Sequence, residues 1–293
     1  MPRPQIQIGC SGWFYWGWRD IFYPSEVPTQ KWFSRYLQTF RTVELNAPFY
    51  KWPRAATVRT WKRQAPRSFK YSIKVNWQIT HERRFVRTKK LVNEFYGIAD
   101  VLGPQMGCFL FQFPPSFRYS AAALRRIVAQ LDPKHRNVVE FRHRSWWNEK
   151  VYQAFRDAGI IFCCVSAPRL PDDVVRTAED IYVRLHGVKQ WYRHDYSRQE
   201  LDHWAQRICA SGASRGWIYF DNDRSGFAIK NALELMRLLR CRRCTGAEEV
   251  ISKISQAALT ATPWKPRGKP RDSAKRRFRE AMRRRRGNPS TPA

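Results

Sequence analysis

The stretch of sequence that decides the fold is NVVEFRHRSWW, residues 137–147. It begins as a short apolar strand and ends in a carboxylate, a guanidinium and two indoles. Glu140 and Arg142 are two residues apart, so on a strand their side chains point to the same face. A charged pair directly after Val138 and Val139 is costly in a core unless it is paired or faces a cleft. The stretch therefore predicts a strand that ends at a polar rim.

Other strand-like runs in the chain end in the same way. They are TVELN at 42–46, YVRLHG at 182–187 and WIYFDND at 217–223. Glu44 and Asn46 share one face of the first run, as Arg184 and His186 do in the second. The third run ends in an acidic and amide cluster. Several strands that finish in polar groups are what the rim of an active site requires.

Eight strand patterns alternate with helix patterns along the chain. The strand patterns lie at 6–10, 42–46, 69–75, 107–113, 137–142, 160–165, 181–186 and 217–221. The helix patterns lie at 29–40, with Thr29 as N-cap, and at 54–64, 88–101, 120–131, 151–158, 197–210 and 227–239, with room for an eighth at 248–259. This alternation predicts an α/β fold with a parallel sheet, and eight units in one ring form a single TIM (β/α)8 barrel. A doubly wound open sheet is the alternative, although no nucleotide-binding glycine motif supports it.

The last 33 residues differ in composition from the rest. Residues 1–260 are predicted to form the barrel domain, and residues 261–293 a basic tail that begins with the linker-like stretch PWKPRGKP at 263–270. The tail holds twelve Lys or Arg against two acidic residues, a net charge of +10. A helix at 273–286 would place like charges on one face, where they repel. We therefore expect a tail that is disordered alone and orders on a polyanion.

The whole chain is also strongly basic. Its 54 Lys and Arg against 24 Asp and Glu give a net charge of +30, which favours RNA or DNA as a partner, with a generally basic background as the alternative. Hydrophobic residues make up 43% of the chain, enough for a packed core. No apolar run has membrane-spanning length and no signal peptide opens the chain, so we expect a cytoplasmic protein without a membrane partner. Cys10, Cys108 and Cys163-Cys164 are predicted as buried thiols, and Cys241 and Cys244 form a lone C-x-x-C.

The motifs taken together resemble those of the YecE-like family, known as domain of unknown function 72. The matching motifs are GCSGW (9–13), FYP (22–24), TVELN (42–46) with FY (49–50), TH (80–81), QFPP (112–115), EFRH (140–143) with Trp146, and RLHG (184–187). The resemblance covers roughly residues 6–240 and implies a TIM-barrel fold, while it implies no particular chemistry. Where the family usually has Asn-Asn-Asp after strand eight, this chain has Asp221-Asn222-Asp223. The extra carboxylate is either a metal ligand or an ion-pair partner.

The polar strand ends supply candidates for each role in a site. Glu44, Glu140 and His186 are the candidates for proton transfer. Arg142, Arg184 and Lys74 are expected to hold an anion, since Arg suits a bidentate grip on phosphate or carboxylate. The remaining substrate-binding candidates are Asn46, Gln112, Asp221, Asn222 and His81 as polar contacts, and Tyr50, Trp13 and Trp146 as stacking rings. Two alternatives stay open: Glu140–Arg142 and Glu44–Arg184 are structural ion pairs, and the aromatic loop at 11–18 is a plug rather than a stacking platform.

The charged candidates make a metal site unfavourable, and three functions remain as alternatives. Glu44, Glu140, His186 and Asp221 could ligate Mn or Zn, but a dication would sit beside fixed arginines, so no metal and no other cofactor is expected. The first function is an enzyme, a hydrolase or isomerase, that acts on a phosphate-bearing or nucleic-acid substrate by acid–base chemistry. The second is a non-catalytic nucleic-acid-binding protein that uses the basic tail. The third is a module that binds an anionic small molecule.

Overall fold

The computed structural model describes residues 5–239 of the 293, and they form eight parallel strands. The strands are β1 Gln5–Cys10, β2 Thr42–Leu45, β3 Lys70–Lys74, β4 Met106–Gln112, β5 Asn137–Glu140, β6 Ile161–Ser166, β7 Asp180–Leu185 and β8 Arg215–Phe220. Their order in the sheet is β1-β8-β7-β6-β5-β4-β3-β2, with every paired neighbour parallel. The sheet therefore curls into a ring, and the prediction of a TIM-type barrel rather than an open sheet is confirmed.

The ring is completed between β1 and β2 by a tyrosine side chain. The hydroxyl of Tyr36 accepts a hydrogen bond from the Cys10 N–H at 2.9 Å and donates one to the Thr42 carbonyl at 3.0 Å. A Cβ on Gly9 would collide with that same carbonyl oxygen, so the close approach of the two strands requires glycine here. Tyr36 thus bridges the two backbones where the ladder of strand pairing is interrupted.

Helices cover the outside of the barrel. They are α1 Trp32–Thr39, α2 Ala47–Tyr50, α3 Ala55–Gln64, α4 Lys89–Leu102, α5 Ala121–Gln130, α6 Glu149–Ala158, α7 Arg198–Ala210 and α8 Phe227–Leu238. Ser120 caps α5 by accepting from the Ala123 N–H, as its residue type predicts. Gly159, at φ +64°, ends α6 in the left-handed conformation that glycine adopts readily.

Two local features differ from the sequence prediction, and a third matches a gap between its helix patterns. Thr29 opens a 3-10 turn at Thr29–Lys31 and does not cap α1, which begins three residues later. The one-turn helix α2 was not predicted; it directly follows the polar end of β2. The crossover from β6 to β7, residues 167–179, contains turns and bends but no helix. The predicted boundary at residue 260, the helix at 248–259, the cysteines at 241 and 244 and the basic tail lie outside the described residues.

Alternating residues of the strands form two apolar layers. One layer fills the barrel and includes Leu110, Val138, Val165 and Trp217. The other lies between the strands and the helices and contains most of the buried aromatic residues. β6 is buried along its whole length because it contributes to both layers, as its continuous apolar run indicates. The four cysteines predicted as buried thiols are buried and free.

The interior becomes polar toward both ends of the barrel. At the amino-terminal end, Asp180 accepts from Arg215 at 2.8 Å and from the Trp217 indole at 2.9 Å. In the middle, the Tyr219 hydroxyl bonds Thr42 at 2.6 Å and Ser72 at 2.9 Å. The carboxyl-terminal end carries the charged groups described below. Over residues 5–239, no helix is long and apolar enough to cross a membrane.

Candidate functional site

The carboxyl ends of the strands bring a set of charged side chains together, which we call the barrel mouth. Its members are Glu44 (β2), Lys74 (β3), Glu140 and Arg142 (β5 and just after it), Arg184 and His186 (β7 and just after it) and Asp221 (just after β8). Except for Arg142, they are buried, although their side chains are ionisable. This convergence is what the spacing of polar residues at strand ends predicts, because the strand ends of a parallel barrel share one face.

Arg184 is the centre of the barrel mouth. Its guanidinium is fully buried and contacts three carboxylates: Glu44 at 2.6 Å, Glu140 at 2.6 Å and Asp221 at 3.0 Å. We call these four residues the Arg184 cluster. Since its nitrogens are taken up by carboxylates and none of its side chain is exposed, Arg184 cannot grip a substrate anion in this arrangement. Glu44 and Arg184 thus form a structural ion pair, which was one of the alternatives left open by the sequence.

Glu44 is the most completely bonded carboxylate of the cluster. Besides its two bonds from Arg184, it accepts from the Ser11 hydroxyl at 2.8 Å and from the Tyr182 hydroxyl at 2.6 Å. No part of its side chain reaches solvent. A carboxylate that is bonded on both oxygens and buried has no lone pair directed at a substrate. Glu44 therefore orients Arg184 rather than transferring protons.

Glu140 is held between two arginines and a histidine. It accepts from Arg184 at 2.6 Å and from Arg142 at 2.8 Å, and the His186 Nε2 lies 3.3 Å away. Burial alone would raise the pKa of Glu140, but the two guanidinium groups outweigh it and hold the pKa well below its usual range. Glu140 is thus ionised at neutral pH and cannot act as a general acid there.

His186 lies between two carboxylates under an aromatic cover. Its Nδ1 lies 3.1 Å from Asp221 Oδ2. The rings of Trp191 and Tyr192 lie over the imidazole, with centroids 5.1 and 5.8 Å away. Burial opposes ionisation of Asp221, but Arg184 and His186 lower its pKa below the usual value. The imidazole itself is fully buried, and its two nitrogens face Glu140 and Asp221.

Lys74 is the unpaired basic group of the mouth. Its ammonium nitrogen lies 4.2 Å from the centre of the Phe49 ring on α2 and makes no hydrogen bond or ion pair with residues 5–239. Burial, followed by the nearby charges of Arg184 and Arg142, lowers the pKa of Lys74 to about 7. Lys74, expected from the sequence to help hold an anion, therefore has a neutral amine in about half of the molecules at neutral pH.

Arg142 is the arginine of the mouth that keeps one nitrogen donor free of hydrogen bonds to residues 5–239. Its Nε bonds Glu140, its Nη1 bonds the Tyr192 hydroxyl at 2.8 Å, and its plane stacks 4.5 Å from the Trp191 ring. Nη2 makes no hydrogen bond within the described part of the chain, and 12% of the side chain is exposed. The charge of Glu140 outweighs burial and raises the pKa of Arg142, so the guanidinium stays charged. Glu140–Arg142 is an ion pair that leaves Nη2 without a hydrogen-bond partner among residues 5–239.

Three of the remaining candidates are His81, Asn46 and Tyr50, of which His81 lies within electrostatic range of Lys74. His81 lies in a π-helical turn, Gln78–Glu82, and pairs with the Thr80 hydroxyl at 2.9 Å. Burial and the charges of Lys74 and Arg142 lower the pKa of His81 to about 3, so it is neutral at physiological pH. Asn46 has a buried side-chain oxygen without a partner among the described residues. Tyr50 packs edge-on against the Phe49 ring at 5.0 Å.

The other candidates have structural contacts. Trp146 is fully buried in the outer layer, stacked 3.9 Å from Phe141, so it has no face free for a base, and its assignment as a stacking ring is wrong. Trp13 packs 4.3 Å from Phe33 of α1. Asn222 donates to the backbone carbonyl of His194 and to the side-chain oxygen of Asn231, both at 2.7 Å. Gln112, opposite Glu140 in the β4–β5 ladder, donates to the Phe113 carbonyl at 2.5 Å.

Four residues of the site were not predicted from the sequence. They are Ser11 and Tyr182, which bond Glu44, and Trp191 and Tyr192, which cover His186 and Arg142. Tyr182 precedes Arg184 by two residues, so the period-two rule that found Arg184 could have found it too. Trp191 and Tyr192, on the loop after β7, have no comparable spacing in the sequence that would have predicted them.

The carboxylates of the mouth are not arranged as metal ligands. Within residues 5–239 no three His, Cys, Asp or Glu side chains form a group that could hold a metal ion. The guanidinium of Arg184 occupies the space between Glu44, Glu140 and Asp221 where a cation would have to lie. The extra carboxylate noted in the sequence, Asp221, thus serves as an ion-pair partner of Arg184.

The fold and the site together define an α/β-barrel protein with an ionic mouth at its carboxyl-terminal face. Residues 7–253 match the family described as "Protein of unknown function DUF72", and the chain belongs to this family. It is 27% identical to the UPF0759 protein YunF of Bacillus subtilis, over 80% of this chain and 94% of that protein. It is also 27% identical to the UPF0759 protein YecE of Escherichia coli, over 48% of this chain and 50% of YecE.

Solved structures of the family share the architecture. A DUF72 family protein from Thermotoga maritima superposes with a TM-score of 0.74 at 25% identity, covering 80% of this chain and 99% of that one. A DUF72 family protein from Enterococcus faecalis superposes with a TM-score of 0.70 at 18% identity, over 80% of this chain, which supports the fold alone. The expected resemblance to the YecE-like family is confirmed.

Proposed function

We propose that the protein is an enzyme that acts on a small phosphate- or carboxylate-bearing substrate at the barrel mouth. The observation that carries the proposal is Lys74, a buried amine that titrates near neutral pH without a carboxylate bonded to it. A group in that state costs folding free energy and adds no bond to the fold, so a functional role is the simplest reason for it. The carboxyl-terminal face of a barrel is also where such enzymes place their active sites.

The roles within the mouth follow from exposure and charge. Arg142 offers its free Nη2 to an anion, with Trp191 and Tyr192 holding the guanidinium plane in place. Lys74 transfers the proton, because a general acid or base works best with a pKa near the operating pH. Glu44, Glu140 and His186, the sequence candidates for proton transfer, are fully buried and fix the arginines instead. Hydrolysis and isomerisation are the reaction types that such a proton transfer serves.

Binding of simple anions tests this proposal. Inorganic phosphate, pyruvate and ribose 5-phosphate would be titrated calorimetrically into the full chain, into Arg142→Met and into Arg144→Met. Arg144 is exposed and lies two residues away, so it matches the change in charge outside the site. We expect at least a tenfold weaker affinity for Arg142→Met alone, since a charge-assisted hydrogen bond contributes roughly 1.5–3 kcal/mol. Equal affinities of the two variants would show that Arg142 does not bind the anion, and would contradict the proposed site. Binding without turnover of any bound anion would favour a small-molecule binding module.

Nucleic-acid binding is a second candidate, favoured by charge. The chain carries +30 in total, and its last 33 residues carry +10. Binding through the tail should weaken steeply with salt, by about 0.7 in log affinity per log salt for each phosphate contact on a single strand. The test is to delete residues 261–293 and measure RNA and DNA affinity over a salt series. An unchanged affinity and salt slope would show that the tail is not the binding element.

A further inference from the structure

We propose that Lys74 is the nucleophilic amine of a covalent carbonyl site, and that the substrate is a small aldehyde or ketone bearing a phosphate or carboxylate. This inference rests on the proposed function and narrows its substrate class. It starts from geometry. The Lys74 side chain enters the barrel mouth from the end of β3, its nitrogen stands over the Phe49 ring, and no acceptor in residues 5–239 bonds it. A lysine that served only as a structural cation would be paired with one of the three carboxylates nearby.

The state of the amine suits nucleophilic attack. An ordinary lysine at pH 7 is a free amine in only about one molecule in 2,500, whereas a lysine with a pKa of about 7 is a free amine in about half. The free amine is the form that attacks a carbonyl carbon. Burial and two guanidinium neighbours are the two physical causes that produce such lysines, and both act on Lys74.

The neighbours of Lys74 indicate an anionic carbonyl compound rather than a neutral one. Arg142 is close enough to lower the pKa of Lys74 electrostatically and keeps one nitrogen donor free. A phosphate or carboxylate held on that donor would place an attached carbonyl group next to the amine. The negative charges of Glu140 and Asp221 act in the opposite sense and raise the pKa of the amine. They would stabilise the positive charge of a protonated imine once it has formed.

The reaction is a condensation that consumes no oxidant and no reductant. The lone pair of the Lys74 nitrogen forms a bond to the carbonyl carbon, and the carbon–oxygen double bond opens. The oxygen then leaves as one water molecule with the two hydrogens of the amine, and a carbon–nitrogen double bond remains. Protonation of that nitrogen gives an iminium ion that withdraws electrons from the adjacent carbon. Such a sink supports proton transfer, carbon–carbon cleavage or decarboxylation at that carbon.

Reductive trapping tests the inference on the full chain. The protein would be incubated at pH 7 with pyruvate, with dihydroxyacetone phosphate, or with neutral acetone, each with cyanoborohydride, and the modified lysines located by peptide mass spectrometry. The same reactions would be run on Lys74→Met, on Lys51→Met, which removes an exposed lysine next to α2, and on Arg142→Met. We expect one adduct per chain on Lys74 with an anionic probe, at least tenfold above any other lysine. It should be absent only from Lys74→Met.

The outcomes separate this inference from the proposed function. Labelling of Lys74 no faster than that of Lys51 overturns the covalent role, and calorimetric anion binding through Arg142 would still uphold the proposed function. Strong labelling by acetone and pyruvate alike, unaffected by Arg142→Met, upholds the amine but overturns the anionic substrate. Labelling that is fast with pyruvate, slow with acetone and at least tenfold slower in Arg142→Met supports both the nucleophilic amine and the anionic substrate.

Discussion

Arg184 and Glu44 are 140 residues apart in the chain and form a two-bonded ion pair inside the barrel, with N–O distances of 3.0 and 2.6 Å and neither side chain exposed. Removing two charges from water is costly, and the attraction within the pair offsets that cost only when the remaining lone pairs and protons are also bonded. Here Ser11 and Tyr182 bond the carboxylate, while Glu140 and Asp221 bond the guanidinium. The pair is therefore the centre of a connected network that joins β1, β2, β5, β7 and β8.

Replacement of Arg184 by methionine is expected to destabilise the barrel by about 3–5 kcal/mol, because three buried carboxylates lose their shared partner. Glu44→Gln should cost less, since Arg184 keeps Glu140 and Asp221. Urea unfolding at pH 7 measures both. Arg237→Met is the control, as its exposed pair with Glu234 should contribute within about 1 kcal/mol. Equal losses for Arg184→Met and Arg237→Met would contradict the buried network.

Tyr36→Phe is expected to cost about 1–3 kcal/mol although it removes a single oxygen atom. The loss leaves the Cys10 N–H and the Thr42 carbonyl without their bridging partner at the junction of β1 and β2. Tyr119→Phe is the matched control, because the Tyr119 hydroxyl makes no hydrogen bond within residues 5–239. Thermal unfolding of both variants measures the difference. A Tyr36→Phe variant as stable as Tyr119→Phe would mean that the hydroxyl does not join the strands.

Lys74→Met is expected to be more stable than the wild type at pH 7 and to lose that advantage as the pH rises. The folded-state pKa of about 7 lies below the ordinary lysine value of about 10.4. Between these two values the unfolded chain binds the proton and the folded chain does not, so wild-type stability rises by up to about 1.4 kcal/mol per pH unit. Below pH 7 Lys74 is protonated in both the folded and the unfolded chain, so the full free-energy cost of burying its charge remains.

The free energy of unfolding of both proteins, measured by urea titration from pH 6 to pH 10, gives this difference directly. Other alkaline groups titrate in both proteins and cancel. The difference between wild type and Lys74→Met should shrink steadily above pH 7. A difference that stays constant over the range would mean that the lysine is an ordinary exposed cation. Lys51→Met should show no such pH dependence, because that lysine is exposed.

The fold and the membership of the mouth were predictable because they follow from periodicity. Alternation of strands and helices fixed the barrel, and the two-residue spacing placed Glu44, Glu140, Arg184 and His186 on one face. The roles of these residues were not predictable, since a role depends on which partners arrive from other strands. Arg184 and Arg142 look equivalent in the sequence. One meets three carboxylates, whereas the other meets one carboxylate and two rings of a loop.

The same limit applies to the aromatic residues and to Lys74. Trp146 follows the polar end of β5 in sequence, but the turn after Glu140 carries it to the outer layer. In the sequence, Lys74 is predicted as an anion-binding cation at the end of a strand, like Arg142 and Arg184. Its lowered pKa comes from burial and from two arginines on other strands, and no local pattern encodes either.

The most direct test of the account is the protonation of Lys74 in the native full chain. Competitive labelling with a trace of acetic anhydride from pH 5 to pH 10, with N-acetyl-lysine as the reference amine, gives the pH at which the Lys74 amine is half reactive. The midpoint, rather than the extent of labelling, reports the pKa and is independent of access. The account predicts a midpoint of about 7. A midpoint at the ordinary lysine value of about 10.4 would contradict it.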